Sequence, residues 1–222
     1  MLTAKHFLDA ARCPRTLPEF TEFGLWTLRR IDRTGDHMLI RAVGCAFHTV
    51  LHRMNSRSLM RPFGEIVMDD SNHELRKHLP IMMTARGHVL VSGLGLGCVV
   101  RGLLANPRVE RITVLEIDKD IIRICGAEFA GTRADIIQTD ALQWSPAVFP
   151  RFDYAWHDIH DDGDDLQVLH GQLLVRYEPY VDGPQGAWAF PREFKRIYGR
   201  EMRMIGGARH PDCFRPEVPD VL

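Results

Sequence analysis

The sequence lacks a surplus of positive charge, a regular cysteine pattern and a long apolar run. Its 28 Lys and Arg residues are balanced by 29 Asp and Glu residues, so the basic signature of a nucleic-acid-binding protein is missing. The five cysteines include no Cys-x-x-Cys pair, which argues against a disulfide framework or a zinc knuckle and favours a reducing compartment. No apolar run approaches the ~20 residues that span a bilayer, and the first residues lack an apolar signal segment. We therefore expect a cytoplasmic protein without a membrane or nucleic-acid partner.

The chain does contain enough apolar material for a packed core. Hydrophobic residues make up 45% and charged residues 26% of its 222 residues, which is typical of a folded domain. A short amphipathic helix is predicted over residues 3–12. Short antiparallel strands are then predicted at residues 26–31, 38–43, 48–54 and 64–68. This β-meander is also a candidate surface for a homodimer.

After Gly87 the pattern changes to strands that alternate with helices. Strands are predicted at residues 89–91, 112–115, 135–139, 152–157 and 186–190, and helices at 98–104, 119–129 and 165–177. Such alternation predicts a Rossmann-like α/β fold, a doubly wound and mostly parallel sheet of about five strands. We divide the chain into an N-terminal helix and β-meander (1–69), the Rossmann-like domain (70–191) and a C-terminal tail (192–222).

A glycine-rich loop, Gly93-Leu94-Gly95-Leu96-Gly97, directly follows the first predicted strand of this domain and opens a helix. Glycine suits such a loop because the turn is tight and the backbone must approach a ligand closely. A plain tight turn would use the same residues, so the loop alone is weak evidence for a site.

Acidic residues at the ends of the next two strands strengthen the case. Glu116 lies about 20 residues beyond the glycines, the spacing at which a carboxylate hydrogen-bonds a ribose diol. Asp118 fits better as the cap of the next helix. Asp140 ends the third strand, where it can meet an adenine edge. The G-x-G-x-G spacing and the carboxylate after the third strand favour S-adenosylmethionine over NAD, whose G-x-G-x-x-G loop binds a pyrophosphate.

These motifs resemble the class I S-adenosylmethionine-dependent methyltransferase superfamily and, within it, the spermidine-synthase-like branch. The segment His73-Glu74-Leu75-Arg76-Lys77-His78-Leu79-Pro80 resembles the branch's Tyr-His-Glu…His-x-Pro segment. Residues 89–118 resemble the first βαβ unit of the superfamily. The likeness covers roughly residues 64–191 and implies S-adenosyl-L-methionine as the cofactor.

The resemblance also implies roles for individual residues. His78 would contact the methionine moiety of the cofactor, Glu116 the ribose, Asp140 the adenine and Asp158 the reacting amine. The expected cofactor-binding residues are His78, Gly93, Leu94, Gly95, Gly97, Glu116, Ile117, Asp140 and Ala141.

Three departures from the family pattern are visible. The family's glycine loop carries an acid where this chain has Leu96, and the family's tyrosine before the His-Glu pair is Asn72. The Asp-x-x-Asp-Pro loop is Asp158-Ile159-His160-Asp161-Asp162, without the proline. An acid in the glycine loop would neutralise the ammonium of decarboxylated cofactor, whereas intact S-adenosylmethionine brings its own carboxylate. The leucine therefore favours methyl transfer over aminopropyl transfer.

The loop after the fourth predicted strand supplies the candidate catalytic residues, Asp158, Asp161 and His160. A carboxylate can orient and deprotonate an amine, and His157 or His160 could serve an amine or a hydroxyl. The alternative is a solvated acidic loop that caps the following helix. We expect no metal, because the region after the last strand lacks the further oxygen ligands that a magnesium site would need.

The sequence thus leaves three functions open. The first is a methyltransferase acting on a small amine or hydroxyl acceptor, the second is a spermidine-synthase-like aminopropyltransferase, and the third is a non-catalytic S-adenosylmethionine-binding protein. Positioned acids at the strand ends argue for the first two, and the short C-terminal part argues for the third.

Overall fold

The computed structural model describes residues 2–14, 17, 19–32, 47–53, 65–146, 151–159 and 166–188. These residues form two sheets with helices packed around them. The N-terminal elements are α1 Ala4–Ala11, β1 Phe20–Phe23, β2 Trp26–Asp32, β3 Phe47–Arg53, β4 Glu65–Asp69 and α2 Asn72–Thr84. The later elements are β5 Gly87–Ser92, α3 Cys98–Leu104, β6 Val109–Glu116, α4 Lys119–Ile121, β7 Ala134–Gln138, β8 Tyr154–His157, α5 Leu166–Tyr177 and β9 Gln185–Ala187.

Strands β5 to β9 form a parallel sheet in the order β7-β6-β5-β8-β9. The central strand β5 contains Val89, Leu90 and Val91, all fully buried, as expected for a strand covered on both faces. The chain runs outward from β5 first in one direction and then in the other, which creates a crevice at the carboxyl ends of the strands. The predicted Rossmann-like fold with about five parallel strands is confirmed.

Strands β1 to β4 form an antiparallel sheet in sequence order. Strands β2, β3 and β4 correspond to three predicted strands of the meander, whereas the predicted strand at residues 38–43 lies outside the described residues. Strand β1 was not predicted. It pairs with β2 through a tight turn at Gly24, whose φ of 58° favours glycine.

Helix α2 was also missed by the sequence analysis, which treated its residues only as a motif. Ser71 caps the helix by accepting a hydrogen bond from the Glu74 N–H at 3.3 Å. This Ser-x-x-Glu pattern is a recognised start signal for a helix. Pro80 lies inside the helix, and a proline at that position would ordinarily argue against one.

The two sheets share one hydrophobic core. A single cluster of buried side chains joins Phe7 of α1 and Leu51 of β3 with Val91 of β5 and Val114 of β6. Helix α1 packs against both α2 and α3. The predicted boundary near residue 69 falls between β4 and α2 and stays a prediction, and the predicted tail lies outside the described residues. Of the helices described, none is long and apolar enough to cross a membrane.

Candidate functional site

A cavity of about 250 Å³ lies at the carboxyl ends of the parallel strands. One wall comes from the loops after β5, β6, β7 and β8, which contribute Gly93, Glu116, Asp140 and Asp158. The opposite wall comes from the antiparallel sheet. Its lining residues are Trp26, Leu51, Arg53, Val67 and Met68. The site therefore lies between the two sheets.

The glycine loop leaves β5 with three residues in the left-handed region. Gly93, Gly95 and Gly97 have φ values of 90°, 51° and 77°. A Cβ at Gly93 would lie 2.0 Å from the Asp158 carbonyl oxygen, and one at Gly95 would lie 2.6 Å from the Met68 sulfur. The fold itself thus requires these two glycines. Both also line the cavity, so the backbone is open to a ligand there.

The other residues of the loop face away from the cavity. Leu94 and Leu96 are buried at 4% and 0% exposure, and Gly97 caps α3 in a left-handed conformation. The Leu96 N–H points to the Met68 sulfur at 3.3 Å. Among the residues that line the cavity, the loop thus contributes backbone and no carboxylate.

Glu116 is held at the end of β6 by two backbone donors. Its Oε2 accepts the Leu94 N–H and its Oε1 accepts the Asp118 N–H, both at 2.8 Å. The side chain is 8% exposed, and this burial raises its pKa. The Gly95 N–H also interacts with this carboxylate. A carboxylate has about four lone-pair sites, so Glu116, which lines the cavity, keeps acceptor capacity for a hydrogen-bond donor placed there.

An apolar surface formed by Ile117, Ala141 and Leu142 lies next to Glu116. Ile117 is 65% exposed although it is a large hydrophobic residue, and it lines the cavity together with Ala141 and Leu142. Asp140, at the same end, accepts the Leu142 N–H on Oδ1 at 2.8 Å. This apolar surface can pack against a flat ring. The Asp140 carboxylate can accept a hydrogen bond from a polar group at the edge of that ring.

At the other end of the cavity Asp158 follows β8. Its N–H donates to the Ser92 carbonyl at 2.8 Å, which fixes the backbone beside the glycine loop. The side chain is 21% exposed. Burial, together with the nearby Glu74 carboxylate, raises the pKa of Asp158 to about 7. A carboxyl group with that pKa can take up and release a proton near neutral pH.

Glu74 of α2 was not expected from the sequence, and it lines the same end of the cavity. The Trp188 indole N–H and the Lys77 ammonium each donate to one of its oxygens at 2.5 Å. The Lys77 ammonium also lies 4.9 Å from the centre of the Trp188 ring. The capping motif at Ser71 was the one sequence signal that could have placed Glu74 on a helix.

His78 lies behind the two carboxylates and does not line the cavity. It is fully buried, and its Nε2 lies 3.7 Å from Asp158 Oδ2 and 3.9 Å from Glu74 Oε1. Neither of its ring nitrogens has a hydrogen-bond partner among the described residues. Burial lowers the pKa of His78 to about 4, so it is neutral at pH 7.

His157, weighed above as a base, lies in the interior of the protein. Its Nδ1 is 2.9 Å from the Ser92 hydroxyl, and its Nε2 is 3.3 Å from the Gln185 side-chain oxygen. The ring is fully buried and does not reach the cavity, which points to a structural role. The other two candidates of this loop, His160 and Asp161, lie outside the described residues.

The described residues that line the cavity carry more negative than positive charge. Those with acidic side chains are Glu74, Glu116, Asp118, Asp140 and Asp158, and the one with a basic side chain is Arg53. Such a lining attracts a cation. Within the described part of the chain, no group of three or more His, Cys, Asp or Glu side chains is arranged to hold a metal ion.

Comparison with known proteins gives short matches in sequence. No protein-family model matches the chain. A segment of 110 residues is 30% identical to polyamine aminopropyltransferase 1 of Pseudomonas aeruginosa and covers 45% of this chain and 38% of that protein. A segment of 107 residues is 30% identical to polyamine aminopropyltransferase 2 of Ralstonia nicotianae and covers 41% of this chain and 21% of that protein. The chain therefore matches well under half the length of these relatives.

Solved structures align with this chain at low scores. The N-methyltransferase NodS of Bradyrhizobium japonicum aligns over 62% of this chain and 74% of its own, at 19% identity and a TM-score of 0.40. The fold assignment rests on the strand order of this chain. The resemblance inferred from the motifs is confirmed as a likeness in sequence: part of the chain is similar to polyamine aminopropyltransferases.

Proposed function

We propose that this chain binds S-adenosyl-L-methionine in the cavity and transfers its methyl group to a small amine or hydroxyl acceptor. The observation that carries the proposal is the convergence of Glu116, Asp140 and Asp158, at the ends of three strands, on a cavity that Gly93 and Gly95 also line. Nucleoside ligands bind at this place in open α/β sheets.

The adenosine half of the cofactor fits the first part of the cavity. The free lone pairs of Glu116 would accept the two ribose hydroxyls, since its other acceptor positions are already used by backbone N–H groups. The adenine ring would lie against Ile117 and Ala141, and Asp140 would accept a hydrogen bond from its amino group.

The sulfonium half fits the acidic end. The cofactor supplies an activated methyl group on a positively charged sulfur, and the carboxylates of Glu74 and Asp158 favour that charge. The backbone at Gly95 would lie beside the methionine moiety. His78, which the resemblance places at that moiety, is buried behind Asp158 and is better suited to supporting this carboxylate than to touching the cofactor.

Asp158 is the group we assign to the acceptor. Transfer of a methyl group is an in-line displacement, so the protein must orient the acceptor and remove its proton. With a pKa of about 7, Asp158 is partly ionised at neutral pH and can take that proton. Asp161 and His160 remain further candidates on the same loop.

Aminopropyl transfer is the second candidate, and the similarity to polyamine aminopropyltransferases favours it. The acidic lining would also suit the ammonium group of a decarboxylated cofactor. Against it stands Leu96, which takes the place of the acid that the family uses for that group and which is buried. Methyl transfer is therefore our first choice.

The products of the two reactions provide the experiment. Methyl transfer leaves S-adenosylhomocysteine, whereas aminopropyl transfer leaves methylthioadenosine. Isothermal titration of the protein with each product should show tighter binding of S-adenosylhomocysteine. Tighter binding of methylthioadenosine would support aminopropyl transfer, and no binding of either would refute the proposed cofactor site.

Amines and phenols are then screened with methyl-labelled cofactor to find the acceptor. A protein that binds cofactor but labels none of them would support the non-catalytic alternative.

A further inference from the structure

A buried cation lies on the side of the glycine loop that does not face the cavity. The Arg101 side chain of α3 is 10% exposed. One of its nitrogens, Nη2, donates to the Leu96 carbonyl at 2.9 Å and lies 3.3 Å from the Cys13 sulfur and 3.5 Å from the Cys98 sulfur. Its other terminal nitrogen donates to Glu128 at 2.5 Å. A single guanidinium nitrogen therefore contacts two thiols and the end of the glycine loop.

The two thiols differ in accessibility but lie together. Cys13 follows α1 and is partly exposed, and its backbone N–H is fixed by Asp70 Oδ2 at 2.9 Å. Cys98 is the first residue of α3 and is fully buried. The thiols interact directly, and this contact, with burial, raises the pKa of Cys98. Neither cysteine lines the cavity.

We propose that Cys13 and Cys98 form a redox-active pair that closes an intramolecular disulfide when it meets a low-molecular-weight disulfide such as glutathione disulfide. Two features support this: the sulfurs share one donor nitrogen, and a permanent positive charge lies beside both of them. Cys13 is the partly exposed member of the pair and can meet the oxidant, and the thiolate is the form that reacts in thiol–disulfide exchange.

Exposure sets the order of the two steps. The Cys13 thiol first loses its proton to solvent, and the resulting thiolate attacks one sulfur of glutathione disulfide, forms a mixed disulfide and releases one glutathione thiolate. Solvent protonates that thiolate. The Cys98 sulfur then attacks the Cys13 sulfur, and the proton of the Cys98 thiol passes to the second glutathione as it is released. Two protein thiols are oxidised, and one glutathione disulfide is reduced to two glutathione molecules.

The disulfide would also affect the glycine loop. Because an S–S bond is only about 2.05 Å long, the sulfurs must move together, which changes their contacts with Arg101, the residue that also holds the Leu96 carbonyl. We expect the oxidised protein to bind S-adenosylhomocysteine several-fold more weakly. This second consequence rests on the proposed function, whereas formation of the disulfide does not.

Peptide mapping of the wild-type chain tests the pair directly. After incubation with glutathione disulfide the intact mass should fall by about 2 Da, the two hydrogens lost on oxidation. Trypsin places Cys13, Cys98 and Cys125 on separate peptides, because Arg12, Arg101 and Arg123 lie between or beside them. A non-reduced digest should contain the 13–15 peptide joined to the 87–101 peptide. A disulfide between any other two cysteines, or no loss of mass, would overturn the proposal.

Single variants test the order of the steps. In Cys98→Ser, Cys13 can still attack glutathione disulfide but the second step cannot follow, so the variant should gain about 305 Da of bound glutathione. In Cys13→Ser neither the adduct nor the disulfide should form. Cys125→Ser is the matched control for Cys98→Ser, because Cys125 and Cys98 are both fully buried. This variant should leave the Cys13–Cys98 disulfide unchanged. If circular dichroism shows that a variant is misfolded, the proposal is judged on the peptide map of the wild-type chain alone.

Titration with S-adenosylhomocysteine separates this inference from the proposed function. Weaker binding by the oxidised chain, restored by dithiothreitol, supports both. If neither form binds, the cofactor site fails while a mapped Cys13–Cys98 disulfide still stands. Equal binding by the two forms would refute the effect on the loop, and a missing disulfide would refute the pair itself.

Discussion

The two sheets contribute to the cavity in different ways. The parallel sheet presents polar groups at the ends of its strands, where the backbone fixes them: Glu116 is held by two N–H groups, and the chain at Asp158 is tied to Ser92. The antiparallel sheet presents mainly apolar side chains, such as Leu51 and Met68, from within its strands. If the proposed function holds, the polar groups of the parallel sheet, here called the polar wall, bind the ligand and take part in the reaction, while the side chains of the antiparallel sheet, here called the apolar wall, shape the cavity.

This division predicts that changes to the polar wall will alter binding or rate strongly, and that changes to the apolar wall will alter them weakly. The parallel sheet should also carry the pH dependence, because its elements hold the buried groups with shifted pKa values. These include Asp158, His157 and Glu116.

The largest effect is expected for Asp158→Asn. Asparagine keeps the shape of the side chain and cannot accept the proton, so the rate of transfer should fall by about 10²–10⁴. Affinity for S-adenosylhomocysteine should stay within a few-fold, since the group lies on the acceptor side of the sulfonium. Transfer of label from cofactor to acceptor measures the rate. A variant that matches the wild type in rate would end the catalytic assignment, and a variant that fails to fold would favour a structural role.

A smaller effect is expected for Glu116→Ala. Loss of hydrogen bonds to a charged group costs ~1.5–3 kcal/mol, or about ten- to a hundredfold in affinity for S-adenosylhomocysteine. Isothermal titration measures the change. Asp135→Ala is the matched control, because Asp135 is an acid of the same sheet that pairs with Arg111 on the surface. Equal affinities of the two variants would refute the ribose assignment.

The effect of pH on the transfer rate should lie between the effects of Glu116→Ala and Trp26→Phe. Since the ionised form of Asp158 accepts the proton and its pKa is about 7, the wild-type rate should fall by about tenfold per pH unit below that value. The raised pKa also means that the folded chain binds this proton at pH values where the unfolded chain, whose Asp158 has the ordinary pKa of 3.8, does not. Ionisation of Asp158 therefore destabilises the fold progressively as pH rises from about 4 to 7.

Thermal melting checks the sign of that contribution. The melting temperature of Asp158→Asn should rise relative to that of the wild type as the pH is increased from 5 to 8, over ~3 pH units, because asparagine carries no charge to bury. A difference that does not change with pH would show that the pKa of Asp158 is not raised. The comparison between variants cancels the contribution of the buried histidines, which both proteins share.

The smallest effect is expected on the antiparallel wall. The Trp26 indole N–H donates to Asp118 Oδ2 at 2.8 Å and joins the two sheets beside the cavity. Trp26→Phe keeps an aromatic ring and loses this bond, so we expect about 1 kcal/mol of lost stability and a change in cofactor affinity of no more than a few-fold. Chemical denaturation and isothermal titration measure the two. A loss of affinity as large as that of Glu116→Ala would contradict the division between the walls.

Much of the parallel sheet could be predicted because its signals are local. Buried apolar runs such as 89–91 mark strands, and an acid or glycine that directly follows such a run must lie at the carboxyl edge. That is why Glu116, Asp140 and Asp158 were found together. The antiparallel sheet was harder to predict: β1 is short and pairs through a turn at Gly24, and α2 contains Pro80, which obscured it. Glu74 was missed with that helix.

The sequence by itself determined the alternation of strands and helices after Gly87 and the residues at those strand ends, because both depend on neighbours along the chain. Only the tertiary structure decided which side chains face the cavity. It buried His78 and His157, brought Glu74 within reach of Asp158 and placed the Met68 sulfur against the glycine loop. The physical reason is that burial and pKa depend on groups brought together from distant parts of the chain, which no local pattern records.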